Sequence, residues 1–79
     1  MERSLTIYVA LLDEGVEVFR PVQAELLHDN VYRILEQPYD RTVEHWAFAP
    51  GEAVVCRPTR SSDGVPVMFA FKKFEPGAD

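Results

Sequence analysis

The feature that most constrains this chain is the regular spacing of its turn signals. Turn-forming residues interrupt the 79 residues at Asp13-Glu14-Gly15, His28-Asp29-Asn30, Pro50-Gly51 and Ser61-Ser62-Asp63-Gly64. The runs between them are short and rich in valine, isoleucine, tyrosine and phenylalanine. Runs of this kind, separated by turns about every 8 to 12 residues, are typical of an all-β protein. No run has both the length and the 3.6-residue period of a convincing helix.

The first run shows the strand pattern most clearly. Leu5, Ile7, Val9 and Leu11 share one aliphatic face, and Tyr8 lies on the opposite, less uniform face. By the same reasoning we predict strands over 5–12, 16–20 continuing as 22–26, 31–35, 43–48, 53–57 and 65–71.

Prolines are expected to limit these strands, because proline lacks the N–H that a strand ladder needs. Pro21 predicts a bend, a bulge or an edge position, Pro58 predicts the end of the fifth strand, and Pro38 opens the main loop. Residues 21–27 could instead form a short helix, since proline suits a first helical turn. The strand is favoured because the segment is short and lies between two other strands.

The length allows one domain with a small core. So small a sheet avoids exposed edges best by curling into a barrel. We therefore predict an all-β fold, a small SH3-like barrel of five to six short strands, over residues 1–73, followed by a polar tail at 74–79. An open sheet with one short helix at 21–27 is the alternative.

A set of residues between about residue 5 and residue 70 forms a distinctive pattern: Leu11-Leu12-Asp13-Glu14-Gly15, Val18, Arg20-Pro21-Val22, Ala24, Tyr32-Arg33-Ile34, Trp46, Phe48, Pro50-Gly51-Glu52, Val54, Cys56 and Asp63-Gly64. This pattern resembles a group of short, uncharacterised bacterial proteins with an SH3-like small β-barrel. The resemblance implies a small cytoplasmic domain from a bacterium. It brings no catalytic or binding residues with it.

Charge and cysteine content exclude several function classes. The 8 basic residues are scattered through a chain of net charge −5, so we expect neither nucleic acid nor an anionic membrane as a partner. A single cysteine cannot form an internal disulfide, which favours a reducing compartment such as the cytoplasm. The apolar run 5–12 lacks a cleavage site and is too short to span a membrane, so a strand is the better interpretation.

No group of residues predicts catalysis or a metal site. His28, His45 and Cys56 are the only soft ligands, and their spacing matches no zinc signature. Cys56 and His45 could meet across a hairpin as nucleophile and base, but the sequence shows neither an oxyanion hole nor an orienting carboxylate. We therefore expect no enzyme activity, no cofactor and no metal, with Cys56 as a small core residue and His28 exposed.

The aromatic residues are the most informative group for function. Alternation places Trp46 on the same face as Phe48, which favours a core position, although a partly exposed Trp46 could anchor a partner together with Tyr39. On the last strand, a core role is expected for one face: Val67, Phe69 and Phe71.

These observations favour a non-enzymatic protein-interaction module that binds a protein or peptide, with Trp46, Tyr39 and Tyr8 as the anchoring residues. A homodimer through an edge strand is a further expectation, because a small barrel gains stability from association. The alternative is an acidic, immunity-type inhibitor of a basic toxin or nuclease. Its acids would come from Asp13-Glu14-Glu17 and from residues 36–44.

Overall fold

A computed structural model describes residues 4–13, 18–60 and 63–75. These residues form six strands: β1 (Leu5–Leu12), β2 (Phe19–His28), β3 (Val31–Ile34), β4 (His45–Trp46), β5 (Ala53–Arg60) and β6 (Pro66–Lys73). None of the described residues is helical, and so none forms a helix long and apolar enough to cross a membrane. Residues 21–27 belong to β2, which settles the choice between strand and helix.

Five of the strands are hydrogen-bonded in a ring. The order is β1-β2-β3-β5-β6 and back to β1, and the short β4 is added to the end of β1. Every pairing in the ring is antiparallel except β6 with β1, which is parallel. Because an odd number of strands cannot alternate in direction all the way round, a five-stranded ring needs one such pairing. The predicted all-β fold, a small barrel of five to six short strands, is confirmed.

The core is made by the inward faces of this ring. Ile7 and Val9 of β1 are completely buried, and Leu5 and Leu11 pack against them, as the alternation in the first run predicts. The other buried members of the core cluster are Val22, Ala24, Tyr32, Ile34, Trp46, Val54, Cys56 and Ala70.

Two prolines lie inside continuous strands, so the predicted breaks at Pro21 and Pro58 are wrong. The Leu11 amide donates to the Val18 carbonyl, and alternation along the ladder then places Pro21 opposite Tyr8 at a pair that exchanges no hydrogen bonds. The Cys56 amide donates to Asn30, away from β6. Pro58, two residues on, would direct its nitrogen to that same side, so the β5–β6 ladder needs no N–H from it.

The turn at Pro50-Gly51 is confirmed. The Glu52 amide donates to the Ala49 carbonyl at 3.1 Å, and Gly51 has a φ of 92°, as the third position of a type II turn requires. In the turn between β2 and β3, the left-handed residue is Asp29, with a φ of 49°, rather than the expected Asn30.

Parts of two other predicted turns, Glu14-Gly15 and Ser61-Ser62, lie outside the described residues. So does most of the proposed tail, residues 76–79, and the domain boundary at residue 73 stays a prediction.

The face of β6 that enters the core is the opposite of the predicted one. Ala70 is 1% exposed, whereas Phe71 is 38% exposed, and Val67 and Phe69 lie on the same side as Phe71. Both faces of this strand are apolar in sequence. The face predicted to be core is the one with the larger side chains: Val67, Phe69 and Phe71. Inside the ring, Ala70 lies opposite another small residue, Cys56.

Candidate interaction surface

Two of the three predicted anchors, Tyr39 and Trp46, are in contact with each other. Their rings are stacked with centroids 4.2 Å apart and planes inclined by 17°. Trp46 is 6% exposed and belongs to the core cluster, while Tyr39 packs against that cluster from outside. The core position favoured for Trp46 is therefore the observed one. The outer side of Tyr39 is covered by Arg41, whose guanidinium lies 4.5 Å from the ring centroid.

Hydrogen bonds fix this stack on the barrel. The Trp46 amide donates to the Tyr39 hydroxyl at 2.7 Å, and the indole Nε1 donates to Glu44 at 2.9 Å. The same Glu44 oxygen pairs with Arg20 of β2 at 3.2 Å. The Tyr39 and Trp46 side chains thus hold the loop before β4 against the barrel, and most of their surface is used within the molecule.

The loop that carries this stack has its own local order. The Thr42 hydroxyl and the Thr42 amide both donate to the Asp40 carboxylate. These bonds hold the pKa of Asp40 below its usual value. Asp40 also accepts, through its backbone carbonyl, from the amides of Val43 and Glu44.

Tyr8, the third predicted anchor, lies on a different surface. It follows the buried Ile7 and precedes the buried Val9, so its side chain is on the outside of β1. Its neighbours in register are Pro21 of β2 and Phe69 of β6. The structure thus brings Tyr39 against the core residue Trp46 and leaves Tyr8 on the outside of β1.

Around Tyr8 the barrel exterior is unusually rich in aromatic rings. Phe19, opposite Ala10 of β1, makes an edge-to-face contact with Phe69 at a centroid distance of 4.9 Å. Phe71 follows on the same side of β6. We call this surface, formed across β2, β1 and β6, the outer aromatic face: Tyr8, Phe19, Val67, Phe69 and Phe71.

A shallow, open groove adjoins this face where β1 meets β6. It has a volume of about 370 Å³ and is lined by Thr6, Tyr8, Pro58, Pro66, Val67 and Met68. At this seam the ring closes through one residue pair, Tyr8 opposite Phe69, whereas β5 and β6 pair over most of their length. The groove lies on the Thr6 and Pro66 side of that pair.

Two cations border the outer aromatic face. The Arg57 guanidinium lies 4.8 Å from the centroid of the Phe71 ring, and the Lys72 ammonium lies 5.8 Å from it. Contacts of this kind are attractive, because the face of an aromatic ring carries partial negative charge.

Of this surface, sequence reasoning predicts only Tyr8 as an anchor and places Val67, Phe69 and Phe71 in the core. The signal that could have found the surface is the apolar character of both faces of β6, since only one of them can enter so narrow a barrel.

The residues considered as nucleophile, base or metal ligands do not form a common site: Cys56, His45 and His28. Cys56 is fully buried, as predicted for a small core residue. Burial raises the pKa of its thiol to about 11. His45 is exposed and pairs with Asp13 at 2.9 Å. His28 is also exposed, beside Asp29 and the edge of Phe74. Within the described part of the chain, no group of three or more potential metal ligands is found.

Two of the acids considered for an inhibitory surface have partners within the molecule. Glu44 accepts from the Trp46 indole and pairs with Arg20, and Asp13 pairs with His45. Glu14 and Glu17 lie outside the described residues. Of the three carboxylates in the 36–44 segment, Glu44 is engaged within the molecule, whereas Glu36 and Asp40 are exposed.

Compared with protein-family models, with curated proteins and with solved structures, the chain matches none of them. The structure accordingly describes a small all-β domain of six strands in a near-closed ring, without assigning it to a family.

Proposed function

We propose that this protein is a non-enzymatic interaction module that binds a segment of another protein on its outer aromatic face. The observation that carries the proposal is the outward position of the β6 phenylalanines. A chain of 79 residues needs most of its large apolar side chains for its core. Here Phe19 remains 44% exposed and Phe71 remains 38% exposed. Exposed apolar side chains that form one contiguous surface are typical of a binding site.

The shape of the surface favours an extended segment over a small molecule. Sites for small molecules are concave and enclose most of the ligand, whereas the groove at the β1–β6 seam is shallow and open. An extended peptide could lie along the seam, with apolar side chains against Tyr8 and Pro66. Aromatic side chains beside proline, as here, are a common lining of peptide-binding grooves.

In this proposal the three predicted anchors have two different roles. Tyr8 contacts the partner directly. Tyr39 and Trp46 do not contact the partner and instead stabilise the fold, because their stacked rings and the bond between them hold the loop before β4 against the barrel. The resemblance to short bacterial proteins with an SH3-like barrel adds the setting of a bacterial cytoplasm to the proposal.

Panning of a random-peptide display library on the immobilised protein tests this function. We expect the wild-type protein to enrich a set of related peptides. Phe71→Ser should lose binding to them, because it removes an exposed ring from the outer aromatic face. Val43→Ser is the matched control, since Val43 is 71% exposed but lies in the loop before β4. Absence of enrichment, or equal loss with both variants, would contradict the proposal.

A further inference from the structure

We infer that the segment bound on the outer aromatic face is acidic and carries apolar side chains between its acids. This inference rests on the proposed function and adds the chemistry of the partner. Its basis is the uneven distribution of charge along an acidic chain.

The basic residues are concentrated beside the outer aromatic face. The segment 53–73, which forms β5 and β6, holds four basic residues and one acid, whereas the rest of the chain holds four basic residues and twelve acids. The four are Arg57, Arg60, Lys72 and Lys73. A protein of net charge −5 therefore has one hairpin that is locally positive.

These cations are not neutralised by acids of the same molecule in the part of the chain that the structure describes. The arginine–carboxylate pairs there are Arg20 with Glu44 and Arg33 with Glu25. Arg57 and Lys72 instead approach the Phe71 ring, and Arg60 donates to the Gly64 carbonyl at 2.8 Å. An aromatic ring does not cancel a full positive charge, so both cations beside Phe71 can pair with a carboxylate of a partner.

Each part of this surface thus selects a different part of the ligand. Phe69, Phe71 and the groove beside Tyr8 accept apolar side chains, and Arg57 and Lys72 at their border accept carboxylates. An extended segment that lies with its edge on this surface directs its side chains alternately to its two flanks, one over the rings and the other toward Arg57 and Lys72. Alternation of acidic and apolar residues would therefore let one segment meet both the rings and the cations.

Two other occupants fit the charges less well. A twofold dimer through this face would bring Arg57 and Lys72 of both copies into one interface, in which the residues of the outer aromatic face offer no carboxylate. A nucleic acid would also find cations and rings here. It carries a charge on every nucleotide, however, and the net charge of −5 opposes its approach.

The test uses three synthetic peptides of equal length that share the same leucines at alternate positions. The positions between the leucines are filled with glutamate, glutamine or lysine. Binding of each fluorescently labelled peptide to the full-length protein is measured by anisotropy in about 0.05 M and about 1 M salt. We expect the glutamate peptide to bind roughly tenfold tighter than the glutamine peptide at low salt, and this preference to disappear at high salt, where charges are screened within about 3 Å.

Paired variants assign the preference to named side chains. Arg57→Gln with Lys72→Gln should reduce the preference for the glutamate peptide to about twofold or less. Arg33→Gln with Arg41→Gln alters the net charge by the same amount elsewhere on the molecule and should leave the preference unchanged. Arg57→Lys with Lys72→Arg keeps both charges and should retain it. Circular dichroism melts establish that each variant is folded.

Three results would overturn the inference. One is equal affinity for the glutamate and glutamine peptides, another is equal loss of preference in both glutamine pairs, and the third is tighter binding of a 15-nucleotide single-stranded DNA than of the glutamate peptide. The proposed function is judged separately. If the glutamine peptide binds and Phe71→Ser abolishes that binding, the interaction module stands and only the acidic partner is wrong.

Discussion

At the scale of single residues, the Tyr39 hydroxyl helps to hold the loop before β4 against the barrel. It accepts a hydrogen bond of 2.7 Å from the Trp46 amide, while the two rings stack. Trp46 is nearly buried, so its amide would find few other acceptors.

We therefore expect Tyr39→Phe to lower the free energy of unfolding by about 1–2 kcal/mol, because it leaves that amide without its acceptor. Peptide affinity should be unchanged. Tyr8→Phe is the matched control: the described residues offer its hydroxyl no hydrogen bond, and the effect on stability should be within about 0.5 kcal/mol. Urea denaturation followed by Trp46 fluorescence measures both. Equal effects of the two substitutions would show that the hydroxyl of Tyr39 does not hold the loop.

The buried thiol of Cys56 predicts a pH dependence of stability. Its pKa is about 11 in the folded protein and about 9.0 when exposed. The unfolded chain therefore loses this proton first as the pH rises. The contribution of the thiol is complete below pH 9 and is lost between pH 9 and pH 11. From pH 8 to pH 10.5 the wild-type protein should lose about 2 kcal/mol more unfolding free energy than Cys56→Ala.

Chemical denaturation of both proteins at the two pH values tests this expectation. The comparison with Cys56→Ala removes the effects of tyrosine and lysine titration, which the two proteins share. Parallel losses would mean that the thiol is not held in its neutral form by burial.

At the scale of elements, β1 and β6 show what sequence alternation can and cannot predict. The first run predicts β1 and its inward face correctly, because Ile7 and Val9 alternate with the more polar Thr6 and with Tyr8. In β6 both faces are apolar, and hydrophobicity alone could not choose between them. The choice depends on the space inside the ring, which is set by the other strands.

The assignment of faces in β6 has a direct test. Ala70→Leu should cost about 1–3 kcal/mol of stability, because it adds volume inside a filled barrel. Phe71→Ser, at the adjacent outward position, should cost no more than about 1.5 kcal/mol. Thermal denaturation followed by circular dichroism compares the two. A larger loss for Phe71→Ser would place the phenylalanine in the core, as the sequence pattern predicts.

The prolines illustrate a second limit of sequence reasoning. A proline ends a strand only where its nitrogen faces a pairing neighbour. The nitrogens of Pro21 and Pro58 face away from the β1–β2 and β5–β6 ladders, respectively. Their direction depends on the register of these strands, which is set by long-range pairing. By contrast, the turn at Pro50-Gly51 depends on local backbone preferences and was predicted correctly.

At the scale of the whole molecule, the ring of five strands is continuous, but β1 and β6 pair through one residue pair whereas the other neighbouring strands pair over several. The spacing of turns was enough to predict a small barrel, because short strands at this length have few other ways to cover their edges. The proposed binding surface was predictable only in part. Ring chemistry predicts Tyr8 as an anchor, whereas its neighbours on β2 and β6 come together through a pairing that no local pattern specifies.

Unequal closure predicts a pattern of amide hydrogen exchange along β1. The direction of the Leu11–Val18 bond implies that the amides of Leu5 and Ile7 point to β2, while the Thr6 amide points to the β1–β6 seam. We expect Thr6 to exchange faster than both neighbours. Fraying of the strand end would instead make Leu5 the fastest of the three. Exchange at Thr6 as slow as at Ile7 would show that the seam is closed along its length.

The most direct test of the proposed function is a chemical-shift map of the outer aromatic face. The ¹⁵N-labelled protein is titrated with the peptide that alternates glutamate and leucine, and amide shifts are followed by NMR. We expect the largest changes at Tyr8, Arg57, Phe69 and Phe71, with little change at Val43 or Trp46. Shifts centred on the loop before β4, with none on β6, would contradict the claim that the outer aromatic face is where this protein binds its partner.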